Sequence, residues 1–93
     1  MKILQSRSFA KKVKKFSKTE KLQLDDQIKL IIENPNIGTE KKGDLRGIFV
    51  HKFKVKTIQY LLAFRHTRET IELIMIGPHE NYYRDLKKSI KGS

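Results

Sequence analysis

Cysteine and tryptophan are absent from the 93 residues, and proline occurs only twice. Without cysteine there is neither a disulfide frame nor a thiolate metal site, and the three dispersed histidines lack metal-ligand spacing. No apolar run approaches the roughly 20 residues that span a bilayer, and the Lys-rich N-terminus has no signal-peptide character. The expectation is a cytoplasmic protein that needs no metal or other cofactor. Acids are scarce as well: 10 Asp and Glu stand against 21 Lys and Arg, a formal charge of +11. Such a field draws in polyanions and speeds their encounter. Nucleic acid is the first candidate partner, and an acidic protein fits the same charge. A membrane surface would require a basic amphipathic helix with bulky apolar anchors.

What is present is periodic. Hydrophobic residues make up 38% of the chain and arrive in runs, which predicts one globular domain over residues 1–93. A short strand at Lys2–Gln5 precedes Ser6 and Ser8, either of which can cap a helix whose apolar stripe is Phe9, Val13 and Phe16. The other faces of that helix carry Arg7, Lys11, Lys12, Lys14 and Lys15 without an acid. This is either a solvated helix face or a surface for phosphate or a partner protein. Ser17-Lys18-Thr19-Glu20 has capping-box form and opens a second helix with Leu24, Ile28 and Ile31 inward, ending before Pro35. Residues 36–43 read as a surface loop.

From Ile48 the period becomes 2, with Phe49, His51, Phe53 and Val55 on one face and Val50, Lys52 and Lys54 on the other. The strand from Thr57 to Arg65 repeats the pattern, with Gln59, Leu61, Ala63 and Arg65 on the lysine side. After a polar turn at His66–Glu69, Thr70–Ile76 is almost wholly apolar, as in a central strand. Asn81 can cap a last short helix with Tyr83, Leu86 and Ile90 inward, and Lys91-Gly92-Ser93 reads as a frayed end. The fold class expected is α+β: an N-terminal strand, an antiparallel two-helix hairpin, a three-stranded antiparallel meander and a short C-terminal helix. The helices would cover one sheet face and leave Lys52, Lys54, Gln59 and Arg65 together on an open one.

Where the apolar strand runs into Gly77-Pro78, the chain delivers His79, Glu80, Tyr82, Tyr83 and Arg84 at the sheet rim. RNA is cut without metal when its 2′-hydroxyl attacks the adjacent phosphate, which takes a base, cations for the phosphate and an acid for the leaving 5′-oxygen. Lys52, Lys54, Arg65 and Arg84 can supply the positive charge. Histidine, with an ordinary pKa near 6.5, exchanges protons at neutral pH, which makes His79 the candidate base or acid and Glu80 the alternative base. Tyr83 can stack on a nucleobase or orient a phosphate. Arg84, Lys87, Lys11, Lys12 and Lys15 are candidates for further RNA contact. Taken singly, each has a bland reading too: lysines solubilise strands, and Tyr83 fits a core stripe.

The element order, L-R-G around Arg46, Y-L-L-A-F-R at 60–65 and I-G-P-H-E-N-Y-Y-R-D-L at 76–86 together resemble the RelE/ParE toxin superfamily over nearly the whole chain. The segment around His79 is similar to the RelE-type branch, which implies a ribosome-dependent mRNA interferase, the toxin of a type II toxin-antitoxin pair, held in check by an antitoxin. By that resemblance the family's strand lysines fall on Val50 and Lys52, with Lys54 beside them. Its third-strand arginine falls on Gln59, its post-glycine arginine on His79, and its tyrosine on Tyr83. Val50 and Gln59 depart from the pattern, with Arg65 expected to compensate on the same face. The alternatives are a ParE-like inhibitor of DNA gyrase and a basic RNA-binding module without catalysis.

Overall fold

Two serines start the first two helices in the way their side chains allow. In the computed structural model, which describes residues 2–78, 80 and 82–91 (Ser89 and Lys91 for backbone only), the Ser6 hydroxyl accepts the Phe9 N–H at 3.0 Å and opens helix α1, Arg7–Val13. The same hydroxyl donates to the Ile74 carbonyl, tying the helix start to a strand 68 residues on. Ser17 opens α2, Lys18–Glu33, through a full capping box: Glu20 N–H donates to Ser17 Oγ at 3.2 Å and Ser17 N–H donates to Glu20 Oε1 at 2.8 Å. The pair satisfies donors that a helix start otherwise leaves bare. Asn34, forced out of helical geometry before Pro35, ends it.

The strands are β1 (Lys2–Gln5), β2 (Thr39–Glu40), β3 (Phe49–Val55), β4 (Ile58–His66) and β5 (Thr70–Pro78), followed by helix α3 (Tyr82–Lys91). They form one sheet in the order β1-β5-β4-β3-β2, with β1 parallel to β5 and the other pairs antiparallel. The expected N-terminal strand, helix hairpin, meander and last helix are all present. The additional strand β2 lies inside the stretch expected to be a loop. Only two residues long, it pairs Thr39 with Val50 and Glu40 with Phe49, and nothing in its composition marks it.

Phe9, Leu24 and Ile31 of the helix pair bury against Phe53, Val55, Tyr60, Leu62, Phe64, Ile71, Leu73 and Ile76. These are the alternate residues of each strand until β5, where the alternation slips. Ala63 faces Met75 and Phe64 faces Leu73, so Ile74 is an extra residue and the strand bulges there. Ile71, Leu73 and Ile76 therefore point to the helix pair, whereas Ile74, with Met75 beside it, points to the opposite face.

That opposite face is not simply open. Val50, Leu61, Ala63 and Ile74 form a second core there with Leu45, Ile48, Tyr82 and Leu86, so α3 and the 45–48 segment cover part of it. The buried stripe of α3 is Tyr82 and Leu86, spaced i, i+4, with Tyr83 and Ile90 only partly buried alongside, rather than the Tyr83-Leu86-Ile90 stripe expected. Asn81, Gly92 and Ser93, on which the cap and frayed-end expectations rest, lie outside the described residues.

On the helix side, His51 Nε2 sits 2.7 Å from Gln27 Oε1 and the ring stacks on Phe53 at 5.7 Å. The ring is thus partly buried and hydrogen-bonded on the helix side of the sheet. Burial lowers its pKa below the ordinary 6.5, so in that window the unfolded chain binds more protons than the folded one. The stability tied to neutral His51 is fully present above pH 6.5 and lost as pH falls through the lowered value. Glu20, held low mainly by the Ser17 backbone bond, titrates below 4.5 and acts in a separate range. Resistance of the wild type to urea should therefore fall as pH is lowered from 7.5 to 5.5, and His51→Gln should flatten that interval; equal slopes for the two proteins would remove His51 as the cause.

Candidate RNA-binding site

The second face of the sheet is divided along its strands. Register sets Val50 opposite Ala63, Lys52 opposite Leu61 and Lys54 opposite Gln59, with Leu61 in turn opposite Gly77. The first of these rows lies in the second core. At the last, Lys54 and Gln59 are exposed, and so is Lys52. Among the described residues neither lysine forms an ion pair. Their strand is rigid for a reason visible in its alternate residues: Phe53 and Val55 are locked in the helix-side core at 7% and 1% exposure. The two ammonium groups thus project from a fixed platform about 6.6 Å apart at the backbone, two residues of strand rise.

Val50, where the family pattern has a lysine, is 3% exposed. An ammonium there would sit in the second core, so the departure in sequence is a consequence of how this chain packs. Arg65 does not compensate. It shares the parity of Lys52 and Lys54 but stands at the far end of β4, four residues, or about 13 Å, beyond the Leu61 that pairs with Lys52. Its guanidinium is 3.3 Å from Glu72 Oε1 instead. With both partners well exposed this pair adds little stability, yet it turns the arginine away from the lysines.

The rim beyond Gly77 is framed by three elements. Ser8 and Lys12 from α1, Met75 to Pro78 from β5, Glu80, and Tyr82 and Asp85 from α3 line a cavity of about 300 Å³. Tyr82 closes it from below: its ring lies 3.6 Å from where a Cβ on Gly77 would stand, and its hydroxyl donates to the Met75 carbonyl at 2.7 Å. Burial raises the Tyr82 pKa far above the ordinary tyrosine value, which keeps that hydroxyl a donor. His79 follows Pro78 directly in sequence but lies outside the described residues, so its expected role is untouched by this geometry. Glu80 is exposed at the rim.

Tyr83, half-buried, meets Tyr82 edge-on at 5.6 Å, and the Lys41 ammonium stands 5.0 Å over its ring. Arg84 and Lys87 are exposed on the same helix, with Arg84 Nε 4.0 Å from Asp85 Oδ1. On α1, Lys12 reaches the rim cavity, whereas Lys11 lines a different surface with Arg7, Ala10 and Lys14; Lys15 is exposed just past the helix end. Register thus brings Lys52 and Lys54 to the same end of the sheet as the rim lined by Lys12 and Glu80, and leaves Arg65 out, whereas Tyr83 stands with Lys41. Lys41 was missed by the sequence reading. Its signal was the apolar pair Leu45 and Ile48, which anchors the 41–47 segment against the sheet. Among the described residues, no three His, Asp or Glu side chains could together hold a metal ion, and no helix is long and apolar enough to cross a membrane.

A family sequence model, described as the ParE-like toxin of type II bacterial toxin-antitoxin systems, matches residues 3–87. This chain belongs to the ParE-like toxin family. The toxin's fold is also found in solved structures. A chain of the intact E. coli RelBE toxin-antitoxin complex is 21% identical, with 85% of this toxin and 96% of that chain covered and a TM-score of 0.66. The isolated E. coli RelE toxin is also 21% identical, over 94% of this toxin and 96% of that chain, with a TM-score of 0.63. A conserved hypothetical protein from Helicobacter pylori is 17% identical over 85% and 94%, with a TM-score of 0.51. No curated protein matches the toxin. At these identities the structures establish a shared RelE-type α+β fold.

The divided face makes a direct test of side-chain roles. Lys52→Ala and Lys54→Ala should each alter unfolding free energy by less than about 0.5 kcal/mol, as at ordinary surface positions. Val50→Lys, which restores the family's cation, should lose roughly 3 kcal/mol or more by putting a charge into the second core. Urea titration of the three variants checks this, and a Val50→Lys protein as stable as the wild type would show that α3 does not hold that face closed.

Proposed function

We propose that this toxin cuts mRNA on the ribosome and so stops translation. The observation that carries the reading is the Lys52/Lys54 pair, exposed on a rigid strand beside a rim that belongs to the Gly77-Pro78 end of β5. Two fixed ammonium groups suit a phosphate that gains charge in the transition state, because they need no reorganisation as that charge develops. In the reaction the 2′-oxygen bonds to phosphorus as the bond to the 5′-oxygen breaks, giving a 2′,3′-cyclic phosphate and a 5′-hydroxyl. One group removes the 2′-hydroxyl proton and another protonates the 5′-oxygen. His79 is proposed for one of these transfers, with Glu80 as the alternative base, and Tyr83 for stacking on the substrate. Lys11, Lys12, Lys15, Arg84 and Lys87 supply the surrounding field for mRNA and ribosomal RNA.

The proposed restraint is an acidic antitoxin, in keeping with the charge of +11 and with the toxin-antitoxin complex among the similar structures. The family's ParE-like description supports a second reading, inhibition of DNA gyrase without nuclease action.

Purified toxin incubated with mRNA-programmed ribosomes, and separately with gyrase on supercoiled DNA, distinguishes the two. Cleavage in the first and no effect in the second is the expected result. His79→Ala and His79→Gln should slow single-turnover cleavage by about 10²- to 10⁴-fold while ribosome binding stays near normal. Intact mRNA together with inhibited gyrase would overturn the proposal, and variants within about threefold of wild type would take His79 out of the mechanism.

A further inference from the structure

We propose that the loop of residues 41–47 is a second phosphate site, one that holds a part of the RNA backbone away from the Lys52/Lys54 pair. The inference rests on the reading that the toxin engages RNA, and it adds a place where the strand is gripped. Residues 41–47 carry Lys41, Lys42 and Arg46 against Asp44. Lys41, Lys42, Gly43 and Arg46, with Glu40, line an open cavity of about 250 Å³.

The loop is built to keep that shape. Gly43 and Gly47 take φ of 67° and 87°, where a Cβ is disfavoured, and reverse the chain within a few residues. Between them Leu45 is 4% exposed, and Ile48 just after is 2% exposed; both are sunk in the second core. Backbone bonds close the turn: Lys41 N–H to Ile48 O at 2.9 Å, Arg46 N–H to Gly43 O at 3.1 Å and Ile48 N–H to Leu45 O at 2.9 Å. Glu40, the acid in the lining, accepts the Gly47 N–H at 3.3 Å, which directs its carboxylate to the loop backbone. Lys41 stands over Tyr83 and so joins the loop to the α3 helix that carries Arg84 and Lys87.

Distance makes this a separate contact. Lys41 lies beside Ile48, four residues along β3 from Lys52, or about 13 Å. With its ammonium drawn over Tyr83, Lys41 and its loop suit a different phosphate of the strand from the one held by Lys52 and Lys54. The chemistry of the loop favours RNA over an acidic peptide. A disordered segment that folds on binding needs apolar anchor points to offset its ordering, and the loop's apolar residues, Leu45 and Ile48, are buried. A phosphate chain needs only the cations.

The test uses the full-length toxin with a fluorescent 12-nucleotide oligouridylate carrying 2′-O-methyl riboses, which can bind but cannot be cut, titrated over a range of salt. Replacing Lys42 and Arg46 together by Ala should weaken binding roughly tenfold and make the salt dependence shallower by about 1.4, some 0.7 for each lost phosphate contact. A Lys42→Gln/Arg46→Gln pair should behave alike, and both should melt with the wild type because the two side chains are exposed. Unchanged affinity and slope would overturn the proposal, as would wild-type toxin that does not bind the oligonucleotide. So would a loss seen only with a polyglutamate probe, which would give the loop to an acidic protein. Wild type that binds the oligonucleotide yet leaves mRNA intact on ribosomes would count against cleavage alone, not against the loop.

Discussion

The seating of α3 on one half of the sheet's second face decides where this toxin can meet another molecule. Tyr82 and Leu86, at 2% and 0% exposure, fill the space over Val50, Leu61, Ala63 and Ile74. The Tyr82 hydroxyl bond to the Met75 carbonyl fixes the helix start against β5. The bulge in β5 lets both cores be filled: period 2 already puts Ile74 on the α3 face, and the extra residue resets the alternation so that Ile76 rejoins Leu73 in the helix-side core. The proposed cleavage site follows from what α3 leaves uncovered: Lys52, Lys54 and Gln59 at one end of the meander and the rim past Gly77.

Charge is distributed to match. With +11 spread over a small domain, the folded state bears self-repulsion, and most cations relieve it by standing in water. Arg65 is neutralised locally by Glu72, and Lys41 is drawn over an aromatic ring. Lys52 and Lys54 have neither device among the described residues. Their neighbours along the strand are Phe53 and Val55 in the core, so the backbone that carries them cannot yield to separate them. Such enforced proximity of like charge is costly without an anion and useful with one.

Much of this was legible in the sequence, and the reasons differ by element. The helix start at Ser17 was readable, and the first was narrowed to Ser6 or Ser8, because a cap is a local bond between residues three apart. The strand faces of β3 and β4 were readable from period 2. The cover on the second face was not credited, although Val50, Leu61 and Ala63 already spelled an apolar half and Lys52, Lys54 and Gln59 a polar one. Parity identifies a face but not a position along it, which is why Arg65 looked like a member of the lysine cluster. The bulge, the two-residue strand β2 and the choice of Tyr82 over Tyr83 as the buried tyrosine depend on contacts between distant segments. Nothing local encodes them.

If the open lysine end of the sheet promotes attack by the RNA's own 2′-hydroxyl, as proposed, the chemistry of the cut ends records it. mRNA recovered from toxin-treated ribosomes should carry a 2′,3′-cyclic phosphate or its hydrolysed 3′-phosphate, opposite a 5′-hydroxyl, when the ends are read by mass spectrometry. A message with one 2′-deoxy nucleotide at the cut position should stay whole. A 5′-phosphate facing a 3′-hydroxyl, or cutting of the deoxy message at the normal rate, would rule out attack by the 2′-hydroxyl.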